Sequence, residues 1–147
     1  QIWIECDKLK LSKISLTGNQ AKRANLMIRV LDVDVTELIC TGNSAIDTGC
    51  LMVEVYSDGS LLHLTNSQFI GNIGDESSGG IRVISIAGTS WFVTIHIENC
   101  DFRDNIGDKA GSAMEVSSRV NVKDSWLKNC FLFNNTSETY GTLELDY

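Results

Sequence analysis

The side chains in this sequence that could bind or react with a ligand are few, and their spacing limits what they can do. His63 and His96 stand 33 residues apart. A pair of imidazoles could hold a metal ion or polarise a sugar hydroxyl, but a metal site needs a third ligand and the sequence offers none. A solvated face is the preferred reading. Asp75, Asp108 and Glu138 each follow a recurring asparagine at the same distance, with Asp47 close to that register. Three carboxylates stacked about 5 Å apart could take up Ca²⁺ weakly, although Asp beside Gly is also ordinary turn chemistry. Trp91, in the loop "AGTSWF", and Trp126 could stack on sugar rings. No acid, base and cation converge, so no catalytic centre is expected.

Cys6, Cys40, Cys50, Cys100 and Cys130 form no Cys-x-x-Cys pair and no zinc-like spacing with histidine. The odd count leaves at least one free thiol in a monomer. Cys100 and Cys130 recur at one position of successive units, near enough for a disulfide, but neighbours pointing side by side suit its torsion poorly. A Cys100–Cys130 bond and two buried thiols both stay open. Asn134-Asn135-Thr136-Ser137 makes both asparagines formal glycan acceptors.

These residues must be positioned by a repeat. "LTGN", "CTGN", "FIGN", "FRDN" and "LFNN" end at Asn19, Asn43, Asn72, Asn105 and Asn135, at intervals of 24, 29, 33 and 30 residues. A polar, glycine-rich stretch follows each, then an apolar signature: "LMIRV", "LMVEV", "GIRV", "AMEV" and "TLEL", with "IWIEC" before the first asparagine. Self-similarity at this period is the mark of a solenoid, whose units bury their apolar faces only against neighbours. Within each unit apolar and polar residues alternate at period two, as in "VTIHIENCDF", and no segment carries a 3.6-residue stripe. Two or three short strands per unit predict one all-β domain over residues 1–147. It is a right-handed parallel β-helix of about five coils with an asparagine ladder.

Phe69-x-x-Asn72 followed by Gly79-Gly80-Ile81, and Phe102-x-x-Asn105 followed by Gly111-Ser112-Ala113-Met114, resemble the repeats of the chlamydial polymorphic outer membrane proteins. More broadly they resemble the right-handed, pectin-lyase-like β-helix superfamily. The other coils keep the asparagine but place Leu16, Cys40 or Leu132 at the phenylalanine slot. The resemblance implies fold more than function, since adhesins, binding surfaces and polysaccharide enzymes share this scaffold.

Stacking turns each repeat position into a column. The five asparagines should exchange amide hydrogen bonds, beside an interior column of Leu16, Cys40, Phe69, Phe102 and Leu132. Because Asn135 belongs to the buried column, a glycan is expected at Asn134. Outside, Glu5, Arg29, Glu54, Arg82, Glu115 and Glu144 are expected to form an exposed charge column that alternates over five rungs and fixes register. Lys10, Asp34, His63, His96 and Trp126 form a second outward column.

A net charge of −7 argues against a nucleic-acid partner, which needs a basic footprint. No run reaches the roughly 18 apolar residues of a membrane span, so no membrane insertion of this segment is expected. Both ends of the sequence read directly into signature strands, whose open edges template pairing with another chain or with more of the same solenoid. Head-to-tail pairing of two copies would set Glu144 against Glu5. The expected role is a non-catalytic, extracellular structural module: a rigid spacer, or an assembly unit of a surface protein or filament that associates through its ends. A carbohydrate-binding or adhesin module is the alternative, and a polysaccharide lyase or hydrolase the second. No cofactor is expected beyond weak Ca²⁺.

Overall fold

The computed structural model describes residues 1–86, 90–117 and 119–145, with Leu145 described by its backbone alone. Every element among them is a strand, and every pairing is parallel. Each residue bonds its counterpart one turn of chain away, which is the definition of a β-solenoid. The five asparagine rungs are separated by four complete turns, so the coils expected from the repeat amount to about four full turns. Among the described residues no helix is long and apolar enough to cross a membrane.

Two left-handed corners bend each coil. The first is at Lys13, Glu37, Asn66, Asn99 and Asn129, with φ between 51° and 57°. The second is at Gly18, Gly42, Gly71, Asp104 and Asn134, the residue before each ladder asparagine. Gly, Asn and Asp visit this backbone region at least cost, which explains why they recur there. Lys13 and Glu37 are the exceptions, placed in the first two coils where the long strands Ile2–Thr17 and Ala24–Thr41 pair on both sides of the corner but not at it.

Between the corners, strict alternation sends one set of side chains inward. Val33, Leu62 and Ile95, then Val35, Leu64 and Ile97, stack in register and are buried. The rings of Phe69 and Phe102 lie 4.9 Å apart and nearly parallel. Burial of this kind contributes about 25 cal/mol per Å² and is the main force holding one coil to the next.

The asparagine column is a continuous hydrogen-bond ladder. The side-chain amide of Asn43 donates to Asn72 Oδ1 at 3.0 Å and to the Leu16 carbonyl at 2.8 Å. Asn72 donates to Asn105 Oδ1 at 3.0 Å and to the Cys40 carbonyl at 3.0 Å. Asn105 repeats the pattern with Asn135 and Phe69. Each Oδ1 also accepts the backbone N–H of the preceding asparagine. Asn43, Asn72 and Asn105 are wholly buried. Gly79 packs so closely that a Cβ would collide with the carbonyl oxygens of Asn72 and Ile106, and Gly49 and Gly111 are held by the same close approach of backbones.

Two expectations about the outer columns are corrected. Glu54 pairs with Arg29 on one side but with Ile84 on the other, and Arg82 lies opposite Met52. The columns are therefore Glu5–Arg29–Glu54–Ile84 and Trp3–Met27–Met52–Arg82–Glu115–Glu144. Nor is the row exposed: Glu54 is 1% accessible and Glu115 7%.

Candidate functional site

Charged side chains gather on the sheet built from the signature strands. Arg29 donates to Glu54 from Nε at 3.0 Å and from Nη2 at 2.9 Å, and lies 3.5 Å from Glu5. Arg23 reaches the other oxygen of Glu54 at 3.1 Å and Asp47 at 3.6 Å. Arg82 donates to Asp47 at 2.6 Å and to Glu115 at 3.0 Å, and Ser77 donates to Glu115 as well. The hydrogen bond to Glu54 raises the pKa of Arg29 above its ordinary value, burial working in the opposite sense. Each buried carboxylate is met by guanidinium, which is what its removal from water requires. With its donors and acceptors paired to one another, the network is suited to fixing which coil meets which. Asp47 is thus an acceptor within this network rather than a member of the acidic column.

Asp75, Asp108 and Glu138 do line one shallow groove, with Ile73 and Ile106 as its floor. They do not converge: among the described residues no three His, Cys, Asp or Glu side chains are grouped so as to hold a metal ion.

The column Lys10, Asp34, His63, His96, Trp126 is in register along its whole length. Lys10 lies 3.3 Å from Asp34, and His63 Nδ1 lies 3.4 Å from the same carboxylate. The ring of His96 meets His63 edge to face at 6.3 Å and stacks on Trp126 at 4.5 Å. His96 Nε2 is 3.0 Å from the Asp124 carbonyl. The imidazoles are thus held by ring stacking, by the Asp34 carboxylate and by a backbone carbonyl, and one face of Trp126 is occupied.

Trp91 is corrected more sharply. It opens the strand Trp91–Glu98, packs against the hydrophobic core, and its indole nitrogen is buried without a partner. Its neighbour Phe92 points outward and is 52% exposed. Alternation decides this: Val93, Ile95 and Ile97 face inward, so Trp91 does too and Phe92 does not. Residues 87–89 of the stretch read as its loop lie outside the described residues.

The disulfide also falls elsewhere. Cys40 and Cys50 are joined, their α-carbons 6.1 Å apart, while Cys100 and Cys130 are free. The Cys100 thiol turns to the carbonyls of Glu98 and Leu64, and Cys130 to those of Lys128 and Ile97. Each thiol thus bonds a carbonyl of its own rung and one of the rung before, and the two stay unjoined. Burial pushes the Cys100 thiol up to about 12. Cys40 and Cys50 approach across the interior, in the columns that hold Phe69 with Gly80 in the next coil. Two cysteines there fill the section that a ring and a glycine fill one turn on. A facing pair ten residues apart within one coil was the signal available in the sequence.

Asn134 is exposed, with its amide donating to Asp104, whereas Asn135 donates to the Phe102 carbonyl within the ladder. No protein-family model, curated protein or solved structure matches the chain.

Proposed function

We propose that the chain is a non-catalytic structural module of an extracellular or cell-surface protein, a rigid rod that presents or spaces whatever it is joined to. We read it as a right-handed member of the pectin-lyase-like β-helix superfamily, with repeats akin to those of the chlamydial polymorphic outer membrane proteins. The Phe69/Asn72 and Phe102/Asn105 motifs, now seen as stacked rungs, support that reading.

One observation carries the proposal: the ladder has a direction. Every rung donates its amide to the Oδ1 of the next, from Asn19 through Asn135. Each coil is therefore a template for another coil, whether of the same chain or of a neighbour. The corrected register removes the chief objection to association of copies. Continued by one rung, it sets Glu144 opposite Trp3 rather than Glu5, and Trp126 opposite Lys10, an ammonium over an indole. Beside the last signature rung lies an apolar cavity of about 230 Å³ lined by Met114, Val116, Val122, Leu127 and Leu143, which a stacked coil would fill.

The test is light scattering with small-angle X-ray scattering on the 147-residue chain across a concentration series. Particles lengthening along one axis, and shortened by proline at Leu143, support association through the ends. A chain that stays monomeric confines the role to a spacer. Cleavage of any polysaccharide in a screen with and without Ca²⁺, lost on substituting His63, His96 or Asp108, would replace both with an enzyme.

A further inference from the structure

We propose that the cleft beside Phe92 binds a neutral oligosaccharide, with the phenyl ring as platform and Asp58, Thr94, Lys123 and Asp124 as partners for its hydroxyls. The inference is independent of whether the solenoid ends associate.

The ring is held out by the strand itself, between two inward residues. On the preceding rung its neighbour is Gly59, whose N–H donates to the Phe92 carbonyl at 2.9 Å. Gly59 has φ +77°, a conformation that suits glycine, and a Cβ there would meet open space. No side chain therefore covers that flank of the ring. A large hydrocarbon surface left half in water beside a bare glycine contributes nothing to the core and is at some cost to solubility. The cleft it floors has a volume of about 390 Å³, within the range of small-ligand sites.

The polar groups around it are placed, not merely nearby. Asp58 Oδ1 accepts the Phe92 N–H at 3.0 Å, which pins that carboxylate at the edge of the ring. Across the cleft, Asp124 sits at a left-handed bend with φ 49°, and His96 Nε2 on its carbonyl steadies the turn. Neither the Asp124 carboxylate nor the Lys123 ammonium has a partner among the described residues. The cleft thus offers acceptors on both sides, a cationic donor, the Thr94 hydroxyl, and an apolar face between them.

That combination fits a sugar. A pyranose has one face of C–H bonds that packs on an aromatic ring and a rim of hydroxyls that both donate and accept. A simple cation would use only the carboxylates and leave Lys123 opposed to it. An acidic sugar would meet two carboxylates for one ammonium on a chain of net charge −7. A neutral sugar alone uses every group. The exposed stack of Trp126 on His96 lies four residues along the same outward row, roughly 13 Å away by strand rise, so a ligand longer than one unit reaches it.

The experiment is an array of neutral hexose and N-acetylhexosamine oligosaccharides probed with the whole chain, then titration of any ligand found by NMR. Phe92→Ala should weaken binding roughly tenfold or more, the worth of one aromatic platform. Asp124→Asn should weaken it by a smaller factor. Phe133→Ala, an equally exposed ring on another face, should leave it unchanged, and all three variants should keep the circular dichroism and melting temperature of the parent. No neutral oligosaccharide bound above the level of Phe92→Ala, binding that survives that substitution, or capture of polycationic probes alone would each overturn the proposal.

Discussion

Arg82 donates to the carboxylate of Asp47 at 2.6 Å, and its partner across the rung is Met52, not Glu54. The alternating charge column is thereby broken in the middle and rejoined through a loop residue. A double-mutant cycle separates the two arrangements. Arg82→Met with Asp47→Asn should couple by about 1 kcal/mol, as a partly buried pair does, whereas Arg82→Met with Glu54→Gln should add to within about 0.5 kcal/mol. Strong coupling to Glu54 and none to Asp47 would restore the simple alternating column.

The asparagine ladder makes a graded prediction. Removing the Asn72 or Asn105 amide strands a backbone N–H, an amide and a carbonyl in the coil before it and takes one donor from the Oδ1 of the next asparagine. Asn72→Ala and Asn105→Ala should each cost about 1–3 kcal/mol or more in urea unfolding. Asn19 is exposed and donates without accepting from a further rung, so Asn19→Ala should cost well under 1 kcal/mol. Equal costs at all three positions would mean that the ladder is ornament to the apolar stack.

What the sequence made legible, and what it hid, follow one rule. Period-two alternation and the spaced asparagines specify inside from outside and mark the corners, so the fold, the ladder and the Lys10-to-Trp126 column can be read directly. A slip of two residues preserves every inside and outside assignment. Aligning Val55 with Val83 was therefore as consistent with the apolar pattern as the observed pairing of Val53 with Val83. Only Asp47, whose loop is invisible to periodicity, distinguishes them. Trp91 was misplaced for the related reason that its strand begins earlier than the alternating run suggests. The cleft at Phe92 depends on a missing side chain, Gly59, in another coil, and an absence stacks on nothing that a sequence pattern can show.

The cysteines predict a thiol count and a pH limit. The unfolded but unreduced chain should titrate three thiols, and Cys100 should resist alkylation in the native state longer than Cys6 and Cys130, which are less buried. Reducing the Cys40–Cys50 bond reopens a short loop and should cost roughly 2–3 kcal/mol. The pKa of Cys100 is raised by burial from 9.0 to about 12. The folded chain thus keeps a proton that the unfolded chain gives up, so this contribution is complete below pH 9 and is lost as pH rises from 9 towards 12. Cys100→Ser should flatten that alkaline loss, and an unchanged profile would place its origin elsewhere.

The two acceptor asparagines predict which one carries a glycan if the chain passes through a glycosylating secretory pathway. Asn134 and Asn135 are adjacent and both satisfy the acceptor pattern, so the enzyme's sequence preference does not choose between them. The fold does. Asn134 occupies the left-handed corner with φ 52° and its amide reaches only the exposed Asp104, a contact that water replaces at little cost. The Asn135 amide is held by the Phe102 carbonyl at 2.9 Å, and its Oδ1 accepts both the backbone and side chain of Asn105. A sugar on that nitrogen would remove a ladder rung and force open the coil above the Phe69–Phe102 stack. Peptide mapping of secreted protein should find the modification at Asn134 alone. Asn134→Gln should abolish it without moving the melting temperature, because the side chain is outside the ladder. Occupancy at Asn135 in a folded chain would mean that the last rung forms only after the glycan is attached, or in a different register from the one described.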